Sequence, residues 1–275
     1  FGSTIGYLEI LLIFGGMAGD QQAANIGQAC FKVGQSKSTY GTGCFFLMNI
    51  GNKFLISKNK LLTTVAFKIH GNKMFCYEGS IFVAGSAIQW LRDKLNLFNS
   101  SDKSSDLYNK ANIEEKTIII PALTGLGAPH WEPKVRGAIF GLTRNTSIPE
   151  IVKGTLDSIC YQTNDLIESM EKDSKLKIKE IRIDGGMVNN ESFVKSLSNI
   201  TQKKIIKPLN IETTSLGVAY LAGLNAGILK NTFQINKLWK QDKIYLSKLS
   251  KKEVTKNIKK WKNAVSFLIR FSSKI

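Results

Sequence analysis

Two stretches of this chain pass from an apolar run into a helix across glycines, and they confine the fold to a layered α/β domain. The first is Leu11 to Phe14, then Gly15-Gly16-Met17-Ala18-Gly19-Asp20, then a helix-friendly run from Gln21 to Phe31. The second is Ile181-Arg182-Ile183-Asp184-Gly185-Gly186-Met187-Val188-Asn189-Asn190, whose helix continues through Phe193, Leu197 and Ile200. A short apolar run reads as a buried strand, and the 3.6-residue period after it as a helix. Glycines between them let the backbone turn and let a ligand come close. In open α/β sheets, ligands bind in the crevice beyond the carboxyl ends of the strands. Asp20 therefore has two readings. Its carboxylate can take a proton from a substrate hydroxyl held within hydrogen-bond reach, or it caps the helix that follows. Asn189 and Asn190 are equally open: they serve an anion or a nucleotide edge at a helix N-terminus, or one of them is a plain N-cap.

A third glycine feature lies between two strands, at Thr39-Tyr40-Gly41-Thr42-Gly43-Cys44. Freed backbone amides and the Thr42 hydroxyl can cradle phosphate oxygens; the same pattern also makes an ordinary hairpin turn. Leu61 to Ile69 and Met74 to Tyr77 alternate around Gly71-Asn72, which predicts a second hairpin. The run from Glu78 predicts a helix through Leu95, with Gly85 and Gln89 one turn apart on one face. That face either admits a flat ligand, with Gln89 as its hydrogen-bonding partner, or packs on another helix. Asn99 to Lys116 reads as a polar surface loop with a short helix. Thr117 to Ala122 and Gly137 to Thr143 read as strands flanking a glycine-proline loop. Ser147-Ile148-Pro149-Glu150 is a capping box with proline in the first turn. Its helix runs to about Glu171, with Val152, Leu156, Ile159, Thr163, Leu166 and Met170 as the buried stripe. Lys204 to Lys207 is a short strand. Thr213 or Thr214 caps a small-residue helix from Leu216 to Leu229.

The formal net charge is +17 at pI about 9.7. The lysines are scattered among asparagines and isoleucines and densest between Lys237 and Lys262, which fits a solvated face. No aromatic–basic interleaving of a single-strand binder accompanies them, so no nucleic-acid partner is expected. Cys30, Cys44, Cys76 and Cys160 form no C-x-x-C pair and read as buried, reduced thiols. His70 and His130 lack neighbours for a metal site of protein nitrogen or sulfur. Tyr7 to Phe14 is short, contains Glu9 and has no basic leader, so neither a signal peptide nor membrane insertion is expected and the setting is cytoplasmic.

Together these stretches resemble the C-terminal domain of the glycerol kinases, in the FGGY family of carbohydrate kinases. The resemblance runs from about Gly15 to Gly227, with a weaker echo in Trp261-Lys262-Asn263-Ala264-Val265. It is carried by Gly19-Asp20-Gln21-Gln22-Ala23-Ala24, Thr39-Tyr40-Gly41-Thr42-Gly43, Glu78-Gly79-Ser80-Ile81-Phe82-Val83-Ala84-Gly85, Leu123-Thr124-Gly125-Leu126-Gly127-Ala128-Pro129, the stretch Arg136 to Arg144, and Asp184-Gly185-Gly186, all in the family's order. It implies an actin-like, hexokinase-like (ribonuclease H-like) ATPase fold and the C-terminal half of a two-domain kinase whose active site lies between the domains. Residues 1–14 are then a divergent remnant, 15–230 the nucleotide-binding kinase domain and 231–275 a lysine-rich tail.

The resemblance also implies roles. Asp20 falls on the family's catalytic base. Gln21 falls where glycerol is contacted, and Phe45 where an aromatic packs on its carbon side. Thr42 and Gly43 fall at the phosphate turn, Gly85 and Gln89 along the nucleotide, and Gly186 and Asn190 at the adenosine; no protein metal ligand is assigned. The implied reaction is phosphorylation of glycerol to sn-glycerol 3-phosphate by ATP with Mg²⁺, in an enzyme that is a homo-oligomer when intact. Glycerol and ATP/ADP are the implied partners. A xylulose- or gluconate-type substrate and an inactive nucleotide-binding module are the alternatives. The family's N-terminal domain has no counterpart here; there it supplies the first phosphate loop, an aspartate near the metal and the rest of the glycerol pocket. The chain is then a gene fragment, a frameshifted half or one half of a split enzyme. It is expected to fold at least in part on its own and to phosphorylate glycerol poorly or not at all.

Overall fold

The computed structural model describes residues 3–5 and 11–274. Seven strands form one mixed sheet with helices on both faces. In chain order the elements are β1 (Ser3–Ile5), β2 (Leu11–Ile13), α1 (Asp20–Gly27), β3 (Ser36–Tyr40), β4 (Cys44–Gly51), β5 (Leu62–Ile69), β6 (Asn72–Ile81), α2 (Gly85–Asp93), α3 (Lys103–Lys110), β7 (Ile118–Ile120) and β8 (Ala138–Phe140). There follow α4 (Ile148–Ser174), β9 (Glu180–Asp184), α5 (Glu191–Thr201), β10 (Lys204–Pro208), α6 (Thr213–Asn225), α7 (Thr232–Leu238), β11 (Gln241–Tyr245) and α8 (Lys251–Ser272). The large sheet runs β11-β10-β9-β3-β4-β6-β5. β3, β9 and β10 are mutually parallel neighbours, and every other pairing in it is antiparallel.

Alternation along the strands sorts the core into two layers. Tyr40, Cys44, Phe46, Met48 and Tyr77 face α4 and α5, where the helix stripe Val152, Leu156, Ile159, Leu166 and Met170 meets them in the main core. Leu47, Ala66 and Cys76 face the other way, with Ile26 of α1 and Leu224 of α6. There α1 and α6 touch backbone to backbone. A Cβ on Gly27 would lie 1.9 Å from the Thr213 carbonyl oxygen, and one on Gly217 would lie 1.8 Å from that of Ala23. No larger residue fits either position without separating the helices.

Several sequence expectations shift. The apolar run before Asp20 is a strand only over Leu11–Ile13. It pairs antiparallel with Ser3–Ile5 in a sheet of its own, because the local hairpin partner is close in the chain. Asp20 therefore follows no strand of the main sheet. α1 stops at Gly27 instead of Phe31, since Ala29 takes a left-handed φ of 51°. The hairpin turn centres on His70-Gly71 rather than Gly71-Asn72: both have positive φ, and Ile69 pairs with Asn72, the pattern of a two-residue primed turn. Glu78 to Ile81 end β6, and the helix begins only at Gly85. The capping box holds: Glu150 accepts the Ser147 backbone N–H at 2.8 Å. The lysine-rich stretch after residue 231 is part of the layers. β11 extends the sheet, and Trp261, Val265 and Leu268 of α8 pack on Ile120 and Leu126.

Candidate active site

The hairpin β3–β4 carries a candidate site on each of its faces. On the α4–α5 face the turn at Gly41 and Thr42, the start of α2, the segment after Asp184 and the start of α3 enclose a cavity of about 610 Å³. It brings together Thr42, Gly85, Gln89, Gly186 and Asn190, residues far apart in the chain and assigned to the nucleotide from sequence. At Gly41 and Gly186 a Cβ would meet no atom within 4 Å, so the walls there leave open space.

The turn and α2 are locked together. Gly85 N–H donates to the Gly41 carbonyl at 2.9 Å, and Ala84 N–H to that of Thr42 at 2.9 Å. Ser86 adds its N–H at 3.1 Å and its hydroxyl at 2.9 Å, both to the Thr42 carbonyl. Turn carbonyls thus take up orphan donors that the first turn of a helix leaves over. The glycine at position 85 is required by this contact: its Cβ would lie 2.5 Å from the Gly41 oxygen. Neither sequence reading of Gly85, a flat-ligand face or a helix–helix contact, described that partner. Gly43 is outside the cavity, its Cβ position only 2.7 Å from the Ile81 carbonyl. Its glycine serves close packing on β6.

Asn190 is both cap and cavity wall. Its Oδ1 accepts the Phe193 N–H at 2.9 Å, and its Nδ2 donates to the Ser104 hydroxyl at 2.9 Å. Ser101, Asp102, Ser104 and Ser105 complete that wall. The sequence predicts a polar surface loop with a short helix here; the helix is α3, but the segment is a cavity wall rather than a free surface loop. Its place is set by contacts to distant residues, Ser104 to Asn190 and Ser105 to Ser192, which no local pattern signals.

On the opposite face stands Asp20, exposed, as the first residue of α1. The N-cap is Gly19, which has no side chain to offer. The Gln21 N–H donates to Asp20 Oδ1 at 2.7 Å, and Gln21 Nε2 reaches Oδ2 at 3.4 Å. Gln21 is only 8% exposed, and its Oε1 accepts from Lys37 Nζ. Lys37 also donates to the Thr39 hydroxyl at 2.8 Å. Thr39 pairs with Phe45, and Phe45 with Ser80, so these side chains share one face; Phe45 is 37% exposed. Asp20, Gln21 and Phe45 therefore form one continuous patch, linked through Lys37 and Thr39, which sequence reasoning passed over.

Burial pulls the pKa of Lys37 down, against the attraction of Asp184. Burial pushes that of Glu78 up, with Lys37 opposing. All four cysteines are free and buried, and burial pushes the Cys30 and Cys76 thiols up to about 11 and Cys44 to about 12. Such thiols are poor nucleophiles and poor ligands. Among the described residues no three His, Cys, Asp or Glu side chains converge as a metal site, and no helix is long and apolar enough to cross a membrane.

Residues 37–226 match the C-terminal domain model of the FGGY family of carbohydrate kinases. Over 251 residues the chain is 47% identical to a glycerol kinase of Alteromonas mediterranea, covering 91% of this chain and 51% of that protein. It is 48% identical over 250 residues to glycerol kinase 1 of Pseudomonas aeruginosa, covering 91% and 50%. The chain thus spans about half the length of the curated relatives it matches. Among solved structures, the glycerol kinase of Plasmodium falciparum with ADP superposes with a TM-score of 0.87 at 37% identity, over 95% of this chain and 52% of that one. A xylulose kinase of Lactobacillus acidophilus shares the fold at a TM-score of 0.77 and 19% identity, over 97% and 51%.

Proposed function

The chain belongs to the FGGY family of carbohydrate kinases and has its actin-like, hexokinase-like ATPase fold, and on that premise we propose that it serves the ATP-dependent phosphorylation of glycerol to sn-glycerol 3-phosphate. One observation carries the reading: the β3–β4 hairpin stands between an exposed carboxylate at the start of α1 and an open-walled cavity that its own turn lines. Asp20 takes the proton of the terminal hydroxyl as its oxygen attacks the γ-phosphorus. The new O–P bond forms, the bond from phosphorus to the bridging oxygen breaks, and ADP leaves with that electron pair. Phe45 packs on the carbon side of glycerol. Thr42 lies at the phosphates; Gly85 and Gln89 flank the nucleotide; Gly186 and Asn190 face the adenosine. Gly43 keeps the phosphate turn close to β6.

No protein side chain is assigned to the metal in this reading, and Mg²⁺ is commonly held largely by substrate phosphates. Mg²⁺ therefore arrives as part of the Mg–ATP substrate, where it neutralises charge developing on the phosphates. The intact enzyme is a cytoplasmic homo-oligomer in this reading.

Glycerol kinases at 43–48% identity favour glycerol over a pentulose or gluconate. The test is a substrate screen on the chain joined behind the N-terminal half of the Alteromonas enzyme, beside the chain alone. Glycerol turnover by the joined protein, with ADP binding but little turnover by the chain alone, is expected. A pentulose preferred by a wide margin overturns the substrate. Robust turnover by the chain alone overturns the need for a second half.

A further inference from the structure

The cleft on the α1 face is floored by a polar layer. Lys37 and Thr39 of β3 stand opposite Arg182 and Asp184 of β9. From above, α1 sets Gln21 against Lys37 and Gln28 against Asp184, the second at 2.7 Å.

Lys37 is the anomaly in this layer. It is 0% exposed, and its ammonium donates to two neutral oxygens, Gln21 Oε1 and Thr39 Oγ1. Among the described residues it makes no ion pair; Asp184 and Glu78 act on it only from farther away. A buried, unpaired ammonium is costly. An unbranched apolar side chain would tie β3 to α1 at less cost, so a purely structural role does not account for the charge.

The geometry does account for it. A glutamine amide has an acceptor end and a donor end that can exchange by a flip. With an ammonium at the oxygen, which can only donate, the Gln21 amide has one orientation, and its NH2 group faces Asp20. Gln21 then holds both carboxylate oxygens, Oδ1 through its backbone and Oδ2 through its side chain.

We propose that Lys37 is a positioning residue for phosphoryl transfer: its ammonium sets the orientation of the Gln21 amide, and that amide sets the Asp20 carboxylate in the cleft. The proposal rests on the reading of Asp20 as the base.

The test uses Lys37→Met, Lys37→Ala, Asp20→Asn and the Lys37→Met/Asp20→Asn double variant, in the chain joined behind the N-terminal half of the Alteromonas enzyme. Lys37→Met is expected to keep or raise Tm, leave ADP affinity and the KM for ATP unchanged, and lower kcat about 10²-fold, the scale of a misplaced catalytic group. Ethylammonium should restore part of the activity of Lys37→Ala, in whose cavity it fits, and none in Lys37→Met. In the Asp20→Asn background, Lys37→Met should add no further loss, as for two groups acting in series. Near-parental turnover in Lys37→Met, with Asp20→Asn inactive, overturns the Lys37 role and leaves the base standing. Near-parental turnover in Asp20→Asn overturns both. A fall in Tm with no amine rescue makes Lys37 a structural strut and overturns the proposal. A readout free of activity is the Gln21 side-chain NH2 in the NMR spectrum of the chain itself. It should give one sharp pair in the parent and a doubled or broadened pair in Lys37→Met; a single unshifted pair in the variant counts against the proposal.

Discussion

The two faces of the β3–β4 hairpin are built to different standards of completeness. On the α4–α5 face, the cavity is walled by four segments of this one chain, and the polar groups that shape it are already paired with one another. On the α1 face, Asp20 is exposed and Phe45 is more than a third exposed, and among the described residues nothing covers them. Recognition of a rigid, flat ligand needs only a preformed wall. Proton transfer needs two reactants aligned, and alignment is worth about 7–11 kcal/mol. Under the proposed function the contrast separates binding from chemistry, and each part can be tested alone.

The largest effect belongs to the open face. Asp20→Asn in the joined protein should lower kcat about 10²–10⁴-fold while calorimetry shows unchanged ADP affinity. Loss of ADP binding in that variant would mean that the faces are not independent. Next comes the closed face. A leucine at Gly186 would project into open space, so Gly186→Leu should keep Tm and weaken ADP binding tenfold or more, about 1.4 kcal/mol. Unchanged ADP affinity would remove Gly186 from the nucleotide's path.

Asn190→Ala should cost about 0.5–2 kcal/mol of stability through the lost cap, read by denaturant titration, and should loosen the Ser104 wall as well. If ADP affinity then stays constant, the cap is the whole of its role. The smallest effect is a pH effect on the closed face. Burial opposes the charge on Glu150, but hydrogen bonds from the Ser147 hydroxyl and from the Asn112 and Ser147 amides outweigh it and hold its pKa at about 2, below the ordinary 4.5. A depressed carboxylate pKa stabilises the fold above its unfolded value and loses that contribution as pH falls through its folded value. The stability gap between parent and Glu150→Gln should therefore be full above about 4.5 and close toward about 2. A gap that ignores pH would rule out the Asn112 tie, 2.8 Å long, as its source.

What the chain declared in advance follows from where each signal resides. Capping at Ser147 and Glu150, the stripe of α4 and the glycine turn at Gly41 are local, and local chemistry decides them. Asp20 is legible as a residue between glycines and a helix, but which sheet the strand before it joins is not, because an apolar run does not name its partner: Leu11–Ile13 pairs with Ser3–Ile5 outside the main sheet. Gly85 and Gly43 were legible as glycines needing a reason; the reason lay in carbonyls 44 and 38 residues away, at Gly41 and Ile81. Ser104 and Lys37 left no trace at all. A serine in a polar run and a lysine beginning a strand look alike whether they are solvated or buried, and both are buried here.

The contact of α1 with α6 bears on how the molecule can bend. Compliance inside a protein comes from side chains that can change rotamer, and between Gly27 and Gly217 there is none to change. The same holds where the chain approaches α1: a Cβ on Gly16 would lie 2.8 Å from the Ala222 backbone nitrogen, and one on Gly15 would lie 3.2 Å from the Ala222 Cα. From Gly15 through Gly27 the chain is splinted along α6. Asp20, in the middle of that splint, moves only as the domain moves. The backbone that carries the carboxylate therefore has the compliance of the α1–α6 pair rather than that of a loop.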